Sequence, residues 1–123
     1  MIGKKNIGFT LIELMVVLLI ISVLAGIVTP VVTRNIEQAK NAALQENLFV
    51  IRKTLDHYYG DKGHYPETLK QLVDDNYLRN LPKDPFTEDK DSWITSLDEE
   101  GRIYDIHSGY EGIADDGSHY SEW

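Results

Sequence analysis

The chain has no cysteine, so no disulfide framework holds it together. It is also short of basic side chains where they would be needed to grip a polyanion. From Asp56 onward there are seventeen acidic residues against six basic ones, within a formal net charge of -8. That balance argues against nucleic acid as a partner. No nucleophile motif, phosphate-binding glycine loop or paired carboxylates in an apolar setting can be found. The four histidines, His57, His64, His107 and His119, are scattered and lack the spacing of a metal-binding pair on one helix face. An enzyme is not expected.

What the chain does have is one long apolar run, residues 9–28, of the roughly 20 residues that cross a ~30 Å hydrocarbon layer. A single charge interrupts it, Glu13, near its start. An unpaired carboxylate in lipid costs roughly 2.5 kcal/mol or more, and a plain anchor has no use for it. Lys4 and Lys5 precede the run, which by the positive-inside rule keeps that end cytoplasmic and exports the rest. With 123 residues, the chain has room for one small domain beyond this segment. Its core should be thin and lean on the long helix or on neighbouring subunits.

Beyond Pro30, which should bend or partly melt a helix around residues 26–30, a helical pattern resumes. Ile36, Ala39, Ala43, Leu48, Ile51, Leu55 and Tyr58 mark its apolar side, and the segment 60–63 ends it with a glycine-capped turn. Pro66 suits the first turn of a short helix over residues 67–75. Residues 93–97 and 102–107 read as two strands joined by the loop Asp98-Glu-Glu-Gly101. The segment from Ser108 to Trp123 reads as an ordered loop pinned by Tyr120 and Trp123, with room for a last short strand at Tyr120.

Gly8-Phe9-Thr10-Leu11-Ile12-Glu13 followed by an unbroken apolar stretch resembles the N-terminal signature of type IV prepilins and type II secretion pseudopilins. Ile7 departs from the polar residue usual before that glycine. Two later segments, Tyr59-Gly-Asp-Lys-Gly-His-Tyr-Pro66 and Tyr77-Leu-Arg-Asn-Leu-Pro-Lys-Asp-Pro-Phe86, resemble the major type II pseudopilin. The resemblance implies an α+β type IV pilin fold: a long N-terminal helix, transmembrane in its first half, on a small head with a short helix and an antiparallel hairpin. It divides the chain into a leader (1–8), a membrane and filament-core helix (9–30) and a periplasmic head (31–123).

By the same resemblance, a prepilin peptidase cuts between Gly8 and Phe9 and methylates the new amine. Glu13 of one subunit then pairs with the Phe9 amine of a neighbour, and Pro30 shapes the helix for assembly. The implied partners are further copies in a helical homopolymer, minor pseudopilins, an inner-membrane platform and an assembly ATPase. The implied location is the bacterial inner membrane, then a periplasmic filament. A type IV pilin of an extracellular fibre for adhesion, motility or DNA uptake is the alternative. Relatives commonly fold the C-terminal loop around calcium. Here Asp115 and Asp116, with Glu111 behind them, would be the side-chain ligands. A solvated acidic loop without an ion is the other reading, and the sequence leaves both open.

Overall fold

The computed structural model describes residues 8–123, so Lys4, Lys5, Ile7 and all of the leader except Gly8 lie outside the described residues. The order of elements is α1 (Leu11–Lys62), α2 (Lys70–Asp74), β1 (Ile94–Leu97) and β2 (Ile103–His107), followed by a 3-10 turn at Tyr120–Glu122. The chain falls into two compact units, one through Gln38 and the other Ala39–Trp123, and α1 contributes to both.

In the first unit the helix carries Pro30 in its interior and stays helical on both sides of it, so the expected melting at 26–30 is absent. Proline removes the N–H that would have bonded to the carbonyl of Gly26. The neighbouring hydroxyls turn to the helix's own backbone: Thr29 Oγ1 donates to the Ala25 carbonyl at 2.7 Å and Thr33 Oγ1 to the Thr29 carbonyl at 3.1 Å. Ser22 does the same toward Leu18 at 2.7 Å. Three hydroxyls in an apolar setting are thereby satisfied without water.

In the second unit α1 supplies the core. Leu44, Leu48, Ile51, Leu55 and Tyr58 recur at steps of four and three and form one buried seam. Ile36, Ala39 and Ala43, expected to begin it, are exposed, and Leu44 takes that place. Leu44 is one position beyond Ala43, in phase with Leu48 and Ile51, and its larger side chain gains more by burial. Leu72, Trp93, Ile103, Ile106, Ala114 and Tyr120 close over the seam.

The helix passes through Gly60 and stops at Gly63, whose φ of +77° suits glycine and whose N–H bonds to the Tyr59 carbonyl at 2.8 Å. The second helix is only five residues long, shorter than the expected 67–75. Pro66 lies before it, buried, because its carbonyl accepts the Ile103 N–H at 2.9 Å and so continues from the sheet instead of entering the helix. Thr68 and Gln71 then exchange roles at the entry: Thr68 Oγ1 accepts the Gln71 N–H at 3.3 Å, and Gln71 Oε1 accepts the Glu67 N–H at 2.6 Å.

The hairpin is antiparallel with Ile94 opposite His107, Thr95 opposite Ile106 and Ser96 opposite Asp105, then slips so that Leu97 faces Ile103. In its loop Asp98 Oδ1 accepts the N–H groups of Glu100 and Arg102, both at 2.9 Å, and Gly101 has φ +78°. No strand forms at Tyr120. Only an isolated bridge, Ile113 opposite His119, precedes the 3-10 turn. The Tyr120 N–H returns to the Gly112 carbonyl at 3.1 Å, and its ring is buried at 1% exposure. The chain is thus α+β, with the elements the resemblance implied.

Candidate functional site

Gly8 and Phe9 precede the first turn of α1, and Thr10 caps it. Thr10 Oγ1 accepts the Glu13 N–H at 3.2 Å, while the Thr10 carbonyl accepts the Leu14 N–H at the same distance. Thr10-Leu-Ile-Glu13 therefore has the spacing of a capping box, with the carboxylate in the first turn near the positive end of the helix dipole. Glu13 is exposed, and no described residue donates to its carboxylate through a side chain. It is the one charged residue from Phe9 through Thr33. Phe9 is 83% exposed, and the apolar side chains that follow it are about half exposed or more, with none buried up to Val32. A helix long and apolar enough to cross a membrane begins at Leu11, and the apolar stretch within it is wholly unburied by the chain itself. So broad an apolar surface demands cover from lipid or from other copies.

Gly8 and Pro30, the other two sequence-marked positions, are exposed as well. A Cβ on Gly8 would meet no heavy atom of the described residues within 4 Å.

The head holds two anchors that composition and periodicity did not reveal. Arg52 reaches from α1 across the core edge: Nε donates to Asp105 Oδ1 at 2.9 Å, and Nη2 donates to the Ile106 carbonyl at 2.8 Å and to the Trp123 carbonyl. One guanidinium thus ties the helix to β2 and to the end of the C-terminal loop. Asp84 is fully buried; Oδ1 accepts the Phe86 N–H at 2.9 Å and Oδ2 accepts the hydroxyl of buried Ser108. Pro82 and Pro85 restrict the backbone on either side of it, and the aspartate clamps the path they set. Trp93 Nε1 donates to the Pro82 carbonyl at 2.8 Å and Asn47 Nδ2 to the Lys83 carbonyl at 2.9 Å, so the same loop is held from the residue that leads into β1 and from α1.

Asp115, Asp116 and Glu111 are exposed in the C-terminal loop, and they do not converge. Among the described residues no group of three or more acidic or histidine side chains is arranged to hold a metal ion. Asp116 Oδ1 accepts the Ser118 hydroxyl at 2.6 Å and the Ser118 N–H at 2.9 Å, and these two bonds, the hydroxyl's first, hold the carboxyl below its ordinary pKa. A groove of about 540 Å³ beside α1 is lined by Leu48, Phe49, Arg52, Lys53, Asp56 and Trp123 among others. Its one guanidinium is already committed to Asp105 and two carbonyls, and no nucleophile faces a base in it.

Comparison with known proteins agrees with this placement of features. Residues 3–29 match the family described as the prokaryotic N-terminal methylation motif. The chain is 30% identical to the type II secretion system core protein G of Klebsiella michiganensis, across 94% of this chain and 92% of that protein. It is 31% identical to that of Pseudomonas aeruginosa, across 98% and 96%. Against that of Escherichia coli it is 36% identical, across 69% and 70%. No solved structure matches. Similarity of this extent, running from the capped apolar helix through the head, means that the chain belongs to the family of type II secretion system core protein G.

Proposed function

We propose that this chain is the major structural subunit of a type II secretion pseudopilus and has no catalytic role. It waits in the inner membrane with its N-terminal end cytoplasmic and its head periplasmic. A prepilin peptidase cuts after Gly8 and methylates the amine of Phe9. An assembly ATPase and a membrane platform then add the subunit to a helical filament, together with minor pseudopilins. Repetition without closure needs a heterologous contact, one patch meeting a different patch on the next copy.

The observation that carries this reading is Glu13. It is a lone carboxylate in an exposed apolar helix, placed one turn from where the cut creates a positive amine. In lipid alone that charge is a cost; beside a neighbour's amine in a packed bundle it becomes a specific pair that sets the step between subunits.

A paired substitution tests the role of Glu13. Glutamine keeps the capping pattern and removes the charge, whereas valine removes both. Both Glu13→Val and Glu13→Gln are expected to leave the chain processed and membrane-bound but to abolish regular filaments. Normal filaments from Glu13→Gln would reduce Glu13 to a helix cap and overturn the proposal.

A further inference from the structure

Calcium is the ion that the resemblance implies for the C-terminal loop, and the residues present do not form a site for it. Calcium takes roughly six to eight oxygens at about 2.3–2.6 Å. In this loop several of the oxygens are bonded to other groups of the loop itself. The Ala114 carbonyl accepts the Gly117 N–H at 2.9 Å, the Ser118 carbonyl accepts the Ala114 N–H at 2.8 Å, and the Gly112 carbonyl accepts the Tyr120 N–H at 3.1 Å. The Ser118 hydroxyl donates to Asp116 Oδ1 at 2.6 Å and accepts Trp123 Nε1 at 2.8 Å. Asp115 and Glu111 remain exposed and apart from any cluster.

The glycines have other duties too. A Cβ on Gly109 would lie 2.1 Å from the Ser92 carbonyl oxygen, and one on Gly112 would lie 2.3 Å from Cε1 of Tyr110. Gly117 adopts φ +87° to complete the turn. They serve close approach and backbone reversal, with no need to turn carbonyls toward an ion.

Side chains fill the role left over. Phe86 stacks on Tyr110 at 4.8 Å with 7° between planes, Tyr120 lies 4.4 Å from Phe86, and Trp123 lies 4.9 Å from Tyr120. Tyr120 Oη donates to Asn41 Oδ1 at 2.7 Å and Arg52 holds the Trp123 carbonyl, so the loop is fastened to α1 at two points. We infer that the C-terminal loop is a calcium-independent latch, closed by the Trp123–Ser118–Asp116 hydrogen-bond chain and the Phe86–Tyr110–Tyr120–Trp123 ring cluster.

The test is thermal unfolding of the full chain in detergent, followed by near-ultraviolet circular dichroism, with chelator, with millimolar calcium and with millimolar magnesium. The latch predicts the same Tm in all three, whereas an ion held at a hundred times its Kd would raise Tm on the order of 10 °C. Ser118→Ala cuts the hydrogen-bond chain and should lower Tm by about 5 °C, equally with chelator and with calcium. If that variant does not fold, Trp123→Phe keeps a ring and removes only the Nε1 donor, with a smaller fall expected. A rise in Tm with calcium but not magnesium would overturn the inference, as would a Ser118→Ala or Trp123→Phe variant with an unchanged Tm.

Discussion

At the scale of single residues, three side chains do most to determine what the chain is, and they differ in how visible they are beforehand. Glu13 is legible at once, because a charge in an apolar run is costly wherever the run ends up. Asp84 and Arg52 are not, since an aspartate between prolines or an arginine on a mixed helix reads as surface until the tertiary partner is known. Asp84 is buried with Ser108 and the Phe86 N–H on its two oxygens. Asp84→Ala should therefore cost about 2–4 kcal/mol, by leaving a buried hydroxyl and a partly buried N–H unpaired, and Asp84→Asn about 1 kcal/mol, since one acceptor oxygen survives. The denaturant midpoint of the full chain in detergent measures both, and an alanine variant within about 0.5 kcal/mol of the wild type would contradict the clamp.

At the scale of elements, periodicity carried the reading where packing obeyed it. The long helix, the hairpin and its four-residue loop fall within a few residues of their expected bounds, because 3.6- and 2-residue repeats with glycine punctuation are strong local signals. Two of the misses share one cause, a tertiary hydrogen bond that overrides a local preference. Pro66 looked like a helix start but gives its carbonyl to Ile103. Tyr120 looked like a strand but turns its N–H back to Gly112. The melting expected around Pro30 does not occur: the helical run is unbroken, and its backbone takes in the nearby hydroxyls. The calcium loop was undecidable from composition, since acidic residues among glycines suit an ion site and a turn equally.

Two glycines three residues apart give a matched test of this level. Gly60 lies inside α1 with open space where a Cβ would sit, so Gly60→Ala should stabilise the head by up to about 1 kcal/mol. Gly63 holds φ +77° at the helix end, so Gly63→Ala should destabilise it by about 1 kcal/mol. Equal effects of the same sign, read from denaturant midpoints, would mean that the helix does not end where described.

For the whole molecule, charge and burial together set the pH range of the head. Burial raises Tyr58, helped by the negative charge of Asp75, and burial raises Tyr65, helped by Asp56. Tyr77 is raised first by its 2.9 Å hydrogen bond to Asp61 and then by burial. A phenol with a folded pKa above the ordinary value of about 10 contributes stability fully below that pH and loses it as pH rises through the folded value. Asp116 runs the other way. Its lowered carboxyl contributes above the ordinary value of about 3.9 and loses that contribution as pH falls through its folded pKa. Stability of the head should thus show no slope from these four groups between about pH 5 and 9 and should fall above about 10. Tyr77→Phe should make the alkaline fall shallower; a pH–Tm series with an identical alkaline limb would contradict the assignment.

The proposed function makes the apolar helix a processed filament core and not a plain anchor. Intact mass of the chain at native expression, taken from the cell envelope and from material sheared off the cell surface, tests it most directly. A processed filament core gives a mass lacking residues 1–8 and carrying one added methyl group, found in the envelope and not in the sheared material. A chain that keeps residues 1–8 in the envelope would contradict processing, and abundant processed chain in the sheared fraction would contradict a filament confined to the periplasm.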